Sequence, residues 1–387
     1  MIDVVISGAG PAGAVAAIVL ARAGARVMLL DRATFPREKL CGDTVNPGTL
    51  ALLRRLGLAA IVESRGLPVS GMLVTGEHGV AIEGRYPRGL SGRAIVRAEL
   101  DLALVRDAIE AGVVFEPGTA VRSALVRDRG GRSIVGGVTV SRGAGAAVHD
   151  IDAPITLAAD GRHSVLAFSL GLARHPASPR RWAAGAYFEG VHARDASTAV
   201  GEMHIRRGQY IGVAPLPDGR TNVCLVKPSA GGDRAFADPA AALNAAIAGE
   251  PILADRFRRA TMIAPPVVLG PLAVESTGDA IEGLLTAGDA SGFVDPMTGD
   301  GLRFAIRGGE LAAETALRVL EHGWTGAHAA LQDARRREFS GKWRFNRALR
   351  SLVSSPAAVA AAAAAAPFAP AVVRSIVARA GDCHRAD

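Results

Sequence analysis

Cysteine is scarce in this sequence, and its placement excludes two kinds of stabilisation. The 387 residues include only Cys41, Cys224 and Cys383. Their number is odd and no two have the spacing of metal ligands, so we expect neither a disulfide framework nor a zinc site. This usage fits a reducing cytoplasm.

Long apolar runs and aromatic residues are also few. No apolar run reaches the roughly 20 residues that a bilayer span requires, and the chain enters a strand at Asp3 without the basic stretch and cleavage site of a signal peptide. Aromatic residues make up 4% of the chain and hydrophobic residues 49%. We therefore expect a cytoplasmic protein whose core is mainly Ala, Val, Leu and Ile, in one or two domains.

Acidic residues are fewer than basic residues, and most of the difference lies in one region of the chain. The net charge is +7, and residues 331–387 hold ten basic and four acidic residues, which is nearly all of the excess. A nucleic-acid-binding chain would spread its charge over a face or groove and interleave it with aromatic residues. We therefore expect no nucleic-acid partner.

The first 31 residues have the pattern of one strand–helix–strand unit. Val4–Ser7 is apolar and β-branched, Pro11–Ala23 is alanine-rich with proline at the first helical position, and Arg26–Leu30 is a second apolar segment. Such a unit is typical of a doubly wound α/β sheet.

The loop inside this unit reads G-A-G-P-A-G, a G-x-G-x-x-G sequence after a strand and before a helix. Gly8 makes the tight turn, Gly10 lets the backbone approach a pyrophosphate, and Gly13 lets the helix pack on the sheet. Asp31 follows Gly13 by eighteen residues and is expected to accept from the ribose hydroxyls of the nucleotide. The loop alone is compatible with either NAD or FAD as the cofactor.

Further elements follow along the chain. We predict a helix over 99–111, strands over 113–115, 155–159 and 284–287, and a long helix from about 301 to 320. Between them, residues 182–226 alternate in hydrophobicity, with turns at 207–208 and 218–219, which predicts an antiparallel meander.

Three motifs decide the cofactor by resemblance. F-P-R-E-K-L-C-G-D at residues 35–43 resembles a segment of the geranylgeranyl reductase family. L-A-A-D-G-R-H-S at 157–164 resembles the D-G motif of para-hydroxybenzoate hydroxylase-type flavoproteins, and A-G-D-A-S-G-F-V-D-P-M-T-G-D-G at 287–301 resembles their G-D motif, closest to the reductase branch. The resemblance implies FAD, with NAD(P)H as a transient reductant that has no separate domain.

The resemblance also implies the architecture, an α/β fold with three parts. A Rossmann-type FAD-binding domain is built from separated segments (1–65, 97–175 and 270–330). An antiparallel-sheet substrate domain is inserted between them (66–96 and 176–269). Residues 331–387 form a helical C-terminal region.

The same resemblance assigns roles at the flavin. Asp289 would hold a ribityl hydroxyl, Arg97 would reach FAD from outside, and Asp160 would fix the loop near the pyrophosphate. Pro296 would lie against the isoalloxazine, and Asp300 would cap the long helix. The residues expected to hold FAD are Gly8, Gly10, Pro11, Ala12, Gly13, Asp31, Arg32, Lys39, Cys41, Gly42, Arg97, Val121, Asp160, Gly161, Gly288, Asp289, Pro296, Gly299, Asp300, Gly301 and Leu302.

Cys41, Asp43 and Pro296 are the catalytic candidates. The resemblance implies that Cys41 and Asp43 lie beside the flavin ring, where the thiol could touch substrate and the carboxyl could act as an acid or base. The alternative is a structural loop with a buried thiol and a turn aspartate. For His163 and His204, which stand alone in the sequence, we expect structural roles.

The reaction type stays open between several classes. The base rate of the superfamily favours an NAD(P)H-dependent monooxygenase, which would hydroxylate or epoxidise a hydrophobic small molecule through a flavin C4a-hydroperoxide. The motifs favour the alternative, a C=C reductase. The stretch Y-I-G-V-A-P at 210–215 lacks the tryptophans of halogenases and the aromatic wall of geranylgeranyl reductases. A non-catalytic flavin carrier is the remaining alternative.

The C-terminal tail carries two interpretations. Phe339, Trp343, Phe345, Leu349 and Leu352 lie among Lys342, Arg344, Arg347 and Arg350. We expect either a helix packed over the flavin domain with a solvated basic face, or a peripheral contact with a membrane. The protein is expected to be a monomer or a homodimer.

Overall fold

The protein is described by a computed structural model. It describes residues 1–77, 79–143, 146–178, 180–194, 199–206, 208–228, 236–293, 299–353 and 355–386. The expected flavin neighbour Pro296 therefore lies outside the described residues, together with the rest of 294–298.

The strands are short and fall into several sheets. In chain order they are β1 (Val4–Ser7), β2 (Val27–Asp31), β3 (Thr44–Val45), β4 (Leu67–Val69), β5 (Gly71–Thr75), β6 (Ala81–Arg85), β7 (Gly92–Ala94), β8 (Val114–Pro117), β9 (Thr119–Asp128), β10 (Ser133–Arg142), β11 (Val148–Asp152), β12 (Ile155–Ala158), β13 (Ala173–Arg174), β14 (Arg181–Glu189), β15 (Gly201–Arg206), β16 (Gln209–Pro215), β17 (Thr221–Pro228), β18 (Thr261–Met262), β19 (Val267–Leu269), β20 (Glu275–Ser276) and β21 (Leu284–Thr286).

The helices flank these sheets and dominate the C-terminal region. They are α1 (Pro11–Arg22), α2 (Pro47–Arg55), α3 (Ala60–Arg65), α4 (Arg97–Glu110), α5 (Val165–Ser169), α6 (Pro239–Ala248), α7 (Pro251–Arg256), α8 (Gly301–His322), α9 (Ala327–Val353), α10 (Pro356–Ala365) and α11 (Pro370–Ala380).

A five-stranded parallel sheet forms the centre of the fold. Its strand order is β21-β12-β1-β2-β8, so segments far apart in sequence lie side by side. The helices α1, α4 and α8 cover one face and bury a continuous apolar core of mostly Ala, Val, Leu and Ile. This arrangement confirms the predicted Rossmann-type α/β fold built from separated segments.

An eight-stranded sheet forms the second layer. Its order is β18-β14-β17-β16-β15-β5-β6, with β19 also paired to β14. The pairings are antiparallel except β5–β15, which is parallel. One face is covered by α6 and α7, and the other faces the parallel sheet. The two segments predicted to form the substrate domain thus share one sheet, although their boundaries stay a prediction.

Three smaller sheets complete the strands: β11-β10-β9, β3-β7-β4 and β13-β20. The first packs apolar side chains against the uncovered face of the parallel sheet, where Val121 lies in a buried cluster with Val5 and Leu30. The β3-β7-β4 sheet connects the loop at residues 35–43 to the start of α4.

The C-terminal helices pack on α8 and on the edge of the eight-stranded sheet. Phe339 of α9 is buried in the main core, and Val377 of α11 packs against Gly84 of β6. Lys342, which the sequence suggested would face solvent or lipid, is buried instead and donates to the carbonyl oxygens of Arg379 and Ala380, both at 2.7 Å. Within the described ranges, no helix combines the length and apolarity that crossing a bilayer requires.

Candidate active site

A cleft lies between the parallel sheet and the eight-stranded sheet. It encloses about 1470 Å³, part of it open to solvent. One end is formed by the glycine loop and the start of α8, and the other by apolar side chains of the second sheet. Of the predicted cofactor residues, the cleft is lined by Gly10, Pro11, Ala12, Lys39, Cys41, Gly42, Arg97, Gly161, Gly288, Asp289, Gly299, Gly301 and Leu302.

The glycine loop has the close packing that a dinucleotide site needs. Gly8 has a φ of 97°, which side-chain-bearing residues rarely adopt. A Cβ on Gly13 would overlap the Gly8 carbonyl oxygen, so only glycine lets α1 begin this close to β1. Helix α1 has no side-chain cap. Its first N–H groups are therefore free to bind an anion, which the helix dipole also favours.

The carboxylate of Asp31 is held by backbone N–H groups and is not free to turn into the cleft. Its two carboxylate oxygens accept from the backbone N–H groups of Ala9 (2.9 Å) and Ala33 (2.8 Å). Each oxygen keeps a lone pair, so the ribose contact stays a prediction. Two other expected cofactor residues lie outside the cleft lining: the side chain of Arg32 is exposed, and Val121 is part of the core.

Basic side chains gather around the cleft near the glycine loop. Burial, followed by repulsion from Arg97, lowers the pKa of Lys39 to about 8, while Asp289 opposes the shift. Burial also lowers the pKa of Arg162, again opposed by Asp289. Charged groups that are held close together and partly desolvated in this way favour an anionic ligand.

Arg97 is fixed by an ion-pair network at the first turn of α4. The helix begins two residues before the predicted start, and Arg97 donates to both oxygens of buried Asp101 at 2.9 Å. Arg37 pairs with the same carboxylate at 3.1 Å. Burial alone would lower the pKa of Arg97, but Asp101 and Cys41 together outweigh it and hold the pKa above its ordinary value.

The D-G segment presents polar atoms that have no partner within the described residues. Burial raises the pKa of Asp160, against hydrogen bonds from Ser164 and Val165. The Asp160 Oδ1, the Arg162 Nε and the Asn222 Oδ1 are buried without a hydrogen-bond partner. Buried polar groups are normally satisfied, so these atoms fit a site that a polar ligand completes.

The start of α8 differs from the prediction in one respect. Gly301 and Leu302 line the cleft, so the free N–H groups of this helix end face it. Asp300 occupies the N-cap position, but its side chain makes no capping hydrogen bond. It turns away to pair with Lys342 (3.1 Å) and to accept from Asn46 and Asn346 (3.2 and 2.9 Å). The Asp300 carboxylate therefore forms a buried ion pair with Lys342 instead of accepting a hydrogen bond from the first turn of α8.

The two catalytic candidates that are described, Cys41 and Asp43, are neighbours in a polar cluster. Cys41 is a free, half-buried thiol in the cleft wall, and the interaction of its side chain with Arg97 raises the pKa of that guanidinium. Asn222 donates through Nδ2 to both the Cys41 carbonyl oxygen and the Asp43 carboxyl. The cluster joins the loop at 35–43 to strand β17.

Asp43 lies behind the cleft wall and is fully buried. Burial raises its pKa from 3.8 to about 7, although hydrogen bonds from Tyr187 and Asn222 oppose the shift. Its φ is 50°, in the left-handed region that aspartate adopts more readily than most residues. Its carbonyl oxygen accepts from Ile95 N at 2.9 Å, so the residue also fixes the loop to the segment before α4.

The far end of the cleft is apolar. Its walls come from the eight-stranded sheet and from the segment before α8, and they include Met72, Met203, Tyr210, Leu269, Leu272 and Phe293. The part of the cleft above the glycine loop is polar by contrast, so the cleft suits a nucleotide cofactor at one end and a hydrophobic molecule at the other.

The lone histidines have surroundings typical of structural roles. His204 is fully buried between Thr75 Oγ1 (2.9 Å) and Glu202 Oε2 (3.2 Å), on the helix-covered side of the sheet. His163 lies 3.3 Å from the His175 ring nitrogen. In the described ranges, no group of side chains could hold a metal ion.

Four residues of the site were missed from the sequence. Arg37 and Arg162 stand inside the motifs that identify the cofactor, so their position was a usable signal. Tyr187 and Asn222 lie on strands β14 and β17, and nothing in the chain marks them before the sheet brings them to Asp43.

These residues fit FAD. The free N–H groups of α1 and the basic side chains suit a pyrophosphate, and the unpartnered polar atoms of Asp160 and Arg162 flank Gly161 in the same cleft wall. The N-terminus of α8 suits the pyrimidine edge of a flavin, which carries negative charge when reduced.

Comparison with known proteins agrees with this fit. The sequence matches the family described as FAD binding domain over residues 1–264. Menaquinone reductase of Mycolicibacterium smegmatis is 30% identical over 332 residues, which covers 81% of this chain and 75% of that protein. Digeranylgeranylglycerophospholipid reductase 2 of Methanopyrus kandleri is 31% identical over 334 residues, covering 84% and 79%.

Solved structures share the fold. The flavin-dependent brominase Bmp2 has a TM-score of 0.82 at 20% identity and covers 99% of this chain and 94% of its own. A flavoprotein/dehydrogenase from Cytophaga hutchinsonii has a TM-score of 0.81 at 20% identity, covering 98% and 92%. Identity this low shows the fold alone.

The resemblance read from the three motifs is confirmed by the family match and the named reductases. The chain belongs to the FAD binding domain family of FAD-dependent oxidoreductases.

Proposed function

We propose that this protein is an FAD-dependent reductase that saturates a carbon–carbon double bond in a largely apolar substrate. The observation that carries the proposal is the Cys41 thiol, which lies in the cleft wall close enough to Arg97 to raise the pKa of that guanidinium. This thiol offers a proton at the junction between the polar and the apolar parts of the cleft.

The relatives favour reduction over oxygenation. The sequence relatives that are at least 30% identical include menaquinone reductases and digeranylgeranylglycerophospholipid reductases. Both names describe proteins that reduce compounds with long apolar parts. The apolar lining of the cleft, from Met72 to Phe293, supports a substrate of the same general character.

Reduction of an alkene needs a hydride for one carbon and a proton for the other. Bound FAD, once reduced, supplies the hydride. The Cys41 thiol would supply the proton, and the guanidinium of Arg97 would stabilise the thiolate that remains. Solvent then restores the proton to sulfur, so the net consumption is two electrons and two protons for each double bond. The electrons would come from NAD(P)H, which docks transiently.

Asp43 would act as a positioning residue in this scheme. In its neutral form it accepts from Asn222 and Tyr187 without adding a negative charge beside the Cys41–Arg97 pair. Ionised Asp43 would compete with the thiolate for Arg97, so the neutral form supports proton transfer better.

The test is a single turnover without oxygen. The reduced holoprotein is mixed with digeranylgeranylglycerophospholipid, which has double bonds but no quinone ring, and flavin absorbance and product mass are followed. We expect flavin oxidation coupled to the gain of two hydrogens by the product. Cys41→Ser should slow this step at least about tenfold while FAD stays bound. Cys224→Ser is the matched control, because this cysteine lines the same cleft but burial raises its pKa to about 12.

Equal rates in both cysteine variants would refute the role of Cys41. The monooxygenase that the superfamily base rate favoured stays a prediction. Oxygen insertion into a substrate during turnover in air, with no double-bond reduction without air, would establish it and reject the proposal.

A further inference from the structure

The outward face of α11 exposes a row of apolar side chains. Phe368, in the turn before the helix, is 89% exposed, Val372 is 57% exposed and Ile376 is 41% exposed. Val372 and Ile376 are four residues apart and therefore lie on one side of α11, whereas Phe368 precedes the helix and is separated from it by the non-helical Ala369. Exposed apolar residues grouped in this way mark a contact surface more often than scattered ones do.

The opposite side of α11 is anchored, so the exposed row is held in a fixed position. Val377 packs on Gly84 of the edge strand β6. Ala380, one turn after Ile376 on the side of the exposed row, is buried, so the row ends at Ile376. Lys342 of α9 donates to the carbonyl oxygens of Arg379 and Ala380, which joins α11 to α9. The helix therefore presents the row without needing to refold.

The exposed charges of α11 itself are all positive. The sequence has no acidic residue between 339 and 381. Arg379 shares the outward face of α11, three residues after Ile376, and Arg374 is exposed on the same helix. On the adjoining α9, Arg344 and Arg347 are exposed beside two further apolar residues, Trp343 at 36% and Leu352 at 40%.

We propose that this surface, the outward faces of α9 and α11 with Phe368, docks the protein on an anionic lipid bilayer. Apolar side chains would enter the boundary between headgroups and acyl chains, and arginines would meet the lipid phosphates. A second copy of the chain is a poorer partner, because face-to-face pairing would oppose two sets of arginines. The proposal does not depend on the reaction that the flavin performs.

The experiment is vesicle flotation of the full-length holoprotein. Vesicles of phosphatidylcholine with phosphatidylglycerol are compared with vesicles of phosphatidylcholine alone, at low and at high ionic strength. The apolar variant is Phe368→Ser with Val372→Ser and Ile376→Ser, and the charge variant is Arg344→Gln with Arg347→Gln. The matched controls are Val148→Ser and Arg106→Gln, which change exposed residues on β11 and α4. Flavin content per protein verifies that every variant is folded.

We expect the wild-type protein to float with anionic vesicles at low salt and to be released at high salt. Each arginine removed should weaken partitioning about fivefold, the apolar variant should lose binding, and both controls should float like the wild type. Failure of the wild type to float at low salt would overturn the proposal. So would unchanged flotation of the apolar variant, or a wild-type dimer in solution that the apolar variant abolishes, since the face would then join two copies.

Discussion

Two residues in the loop at 35–43, Cys41 and Asp43, occupy different positions relative to the cleft. Cys41 touches the cleft, whereas Asp43 lies behind it and controls the charge near Arg97. The backbone at Asp43 is left-handed and its carboxyl is fully buried, so the residue is held where a charge is costly. The loop thus places a thiol in the cleft wall and, behind it, a buried carboxyl whose pKa is raised.

This arrangement predicts the pH dependence of turnover. Because burial raises the pKa of Asp43 to about 7, the wild-type rate should fall as the pH rises through that value. Asp43→Asn imitates the neutral form, so it should retain the low-pH rate within about tenfold and show no decline near pH 7. Asp43→Ala removes one of the two acceptors of the Asn222 amide and should be slower at every pH. A decline near pH 7 that persists in Asp43→Asn would assign it to another group.

The same carboxyl contributes to stability with a defined sign. Its pKa is raised on folding, so its contribution is greatest below about pH 4, where both states are protonated, and is lost as the pH rises through about 7. Denaturant unfolding between pH 5 and 8 should therefore show a steeper loss of stability for the wild type than for Asp43→Asn. Parallel curves would contradict the raised pKa.

At the scale of elements, helix α8 connects the flavin site to the rest of the fold. Its first turn lines the cleft, its middle packs against α1, and its N-cap residue pairs with α9. Two adjacent glycines of this helix have different neighbours. A Cβ on Gly309 would overlap the Ala12 carbonyl oxygen, whereas one on Gly308 would lie 3.6 Å from Gly288 N, an ordinary contact.

The two glycines therefore make a matched pair. Gly309→Ala should lower the free energy of unfolding by about 1–3 kcal/mol, because α1 and α8 must move apart. The shift would widen the glycine loop and weaken FAD binding. Gly308→Ala should be neutral or stabilising by up to about 1 kcal/mol, since alanine favours the helix. Denaturant unfolding and flavin content measure both. Equal losses of stability and flavin from the two variants would show that the close contact between α1 and α8 at Gly309 does not determine them.

The buried pair between Lys342 and Asp300 predicts a larger effect. Lys342→Met removes the buried cation that pairs with Asp300, while Asp382 keeps its pair with Arg303, and this change should cost about 3–5 kcal/mol of stability. Adding Asp300→Asn to this variant should restore part of the loss, because the uncompensated charge is removed. If the single variant unfolds like the wild type, the tail is not fixed to α8 in the way described.

The sequence predicted the elements better than it predicted the contacts between them. Local patterns were enough for β1, α1, β2 and α8, because hydrophobic period and glycine position are encoded within a few residues. The pairing of β14 with β17, and the burial of Lys342, depend on segments far apart in the chain. No local pattern shows that a lysine in a basic helix will meet two backbone carbonyls and two carboxylates.

At the scale of the whole molecule, the cleft lies between two layers that line it from opposite sides. The glycine loop and α8 belong to the layer of the parallel sheet, and Asn222 and Cys224 belong to the eight-stranded sheet. Because both layers line one cleft, a ligand bound there stabilises their association.

Removal of FAD should therefore destabilise the whole chain. With free FAD at about 100 times its Kd, binding contributes about 2.7 kcal/mol. Protein stripped of flavin should melt at a lower temperature, and added FAD should restore the melting temperature in a concentration-dependent way. Gly10→Arg, which blocks the approach of the pyrophosphate, should melt like the stripped protein and gain nothing from added FAD. Identical melting with and without FAD would mean that the cleft is not its site.

The most direct test of the proposed reduction compares two oxidants of the same reduced flavin. In stopped flow, the photoreduced holoprotein is mixed either with the alkene-bearing probe without oxygen or with oxygen in the presence of that probe. The account predicts that the probe oxidises the flavin and leaves with two added hydrogens, while oxygen oxidises the flavin in a single phase and leaves the carbon skeleton of the probe free of oxygen. An oxygenated flavin species that forms first and then transfers oxygen to the probe would contradict it.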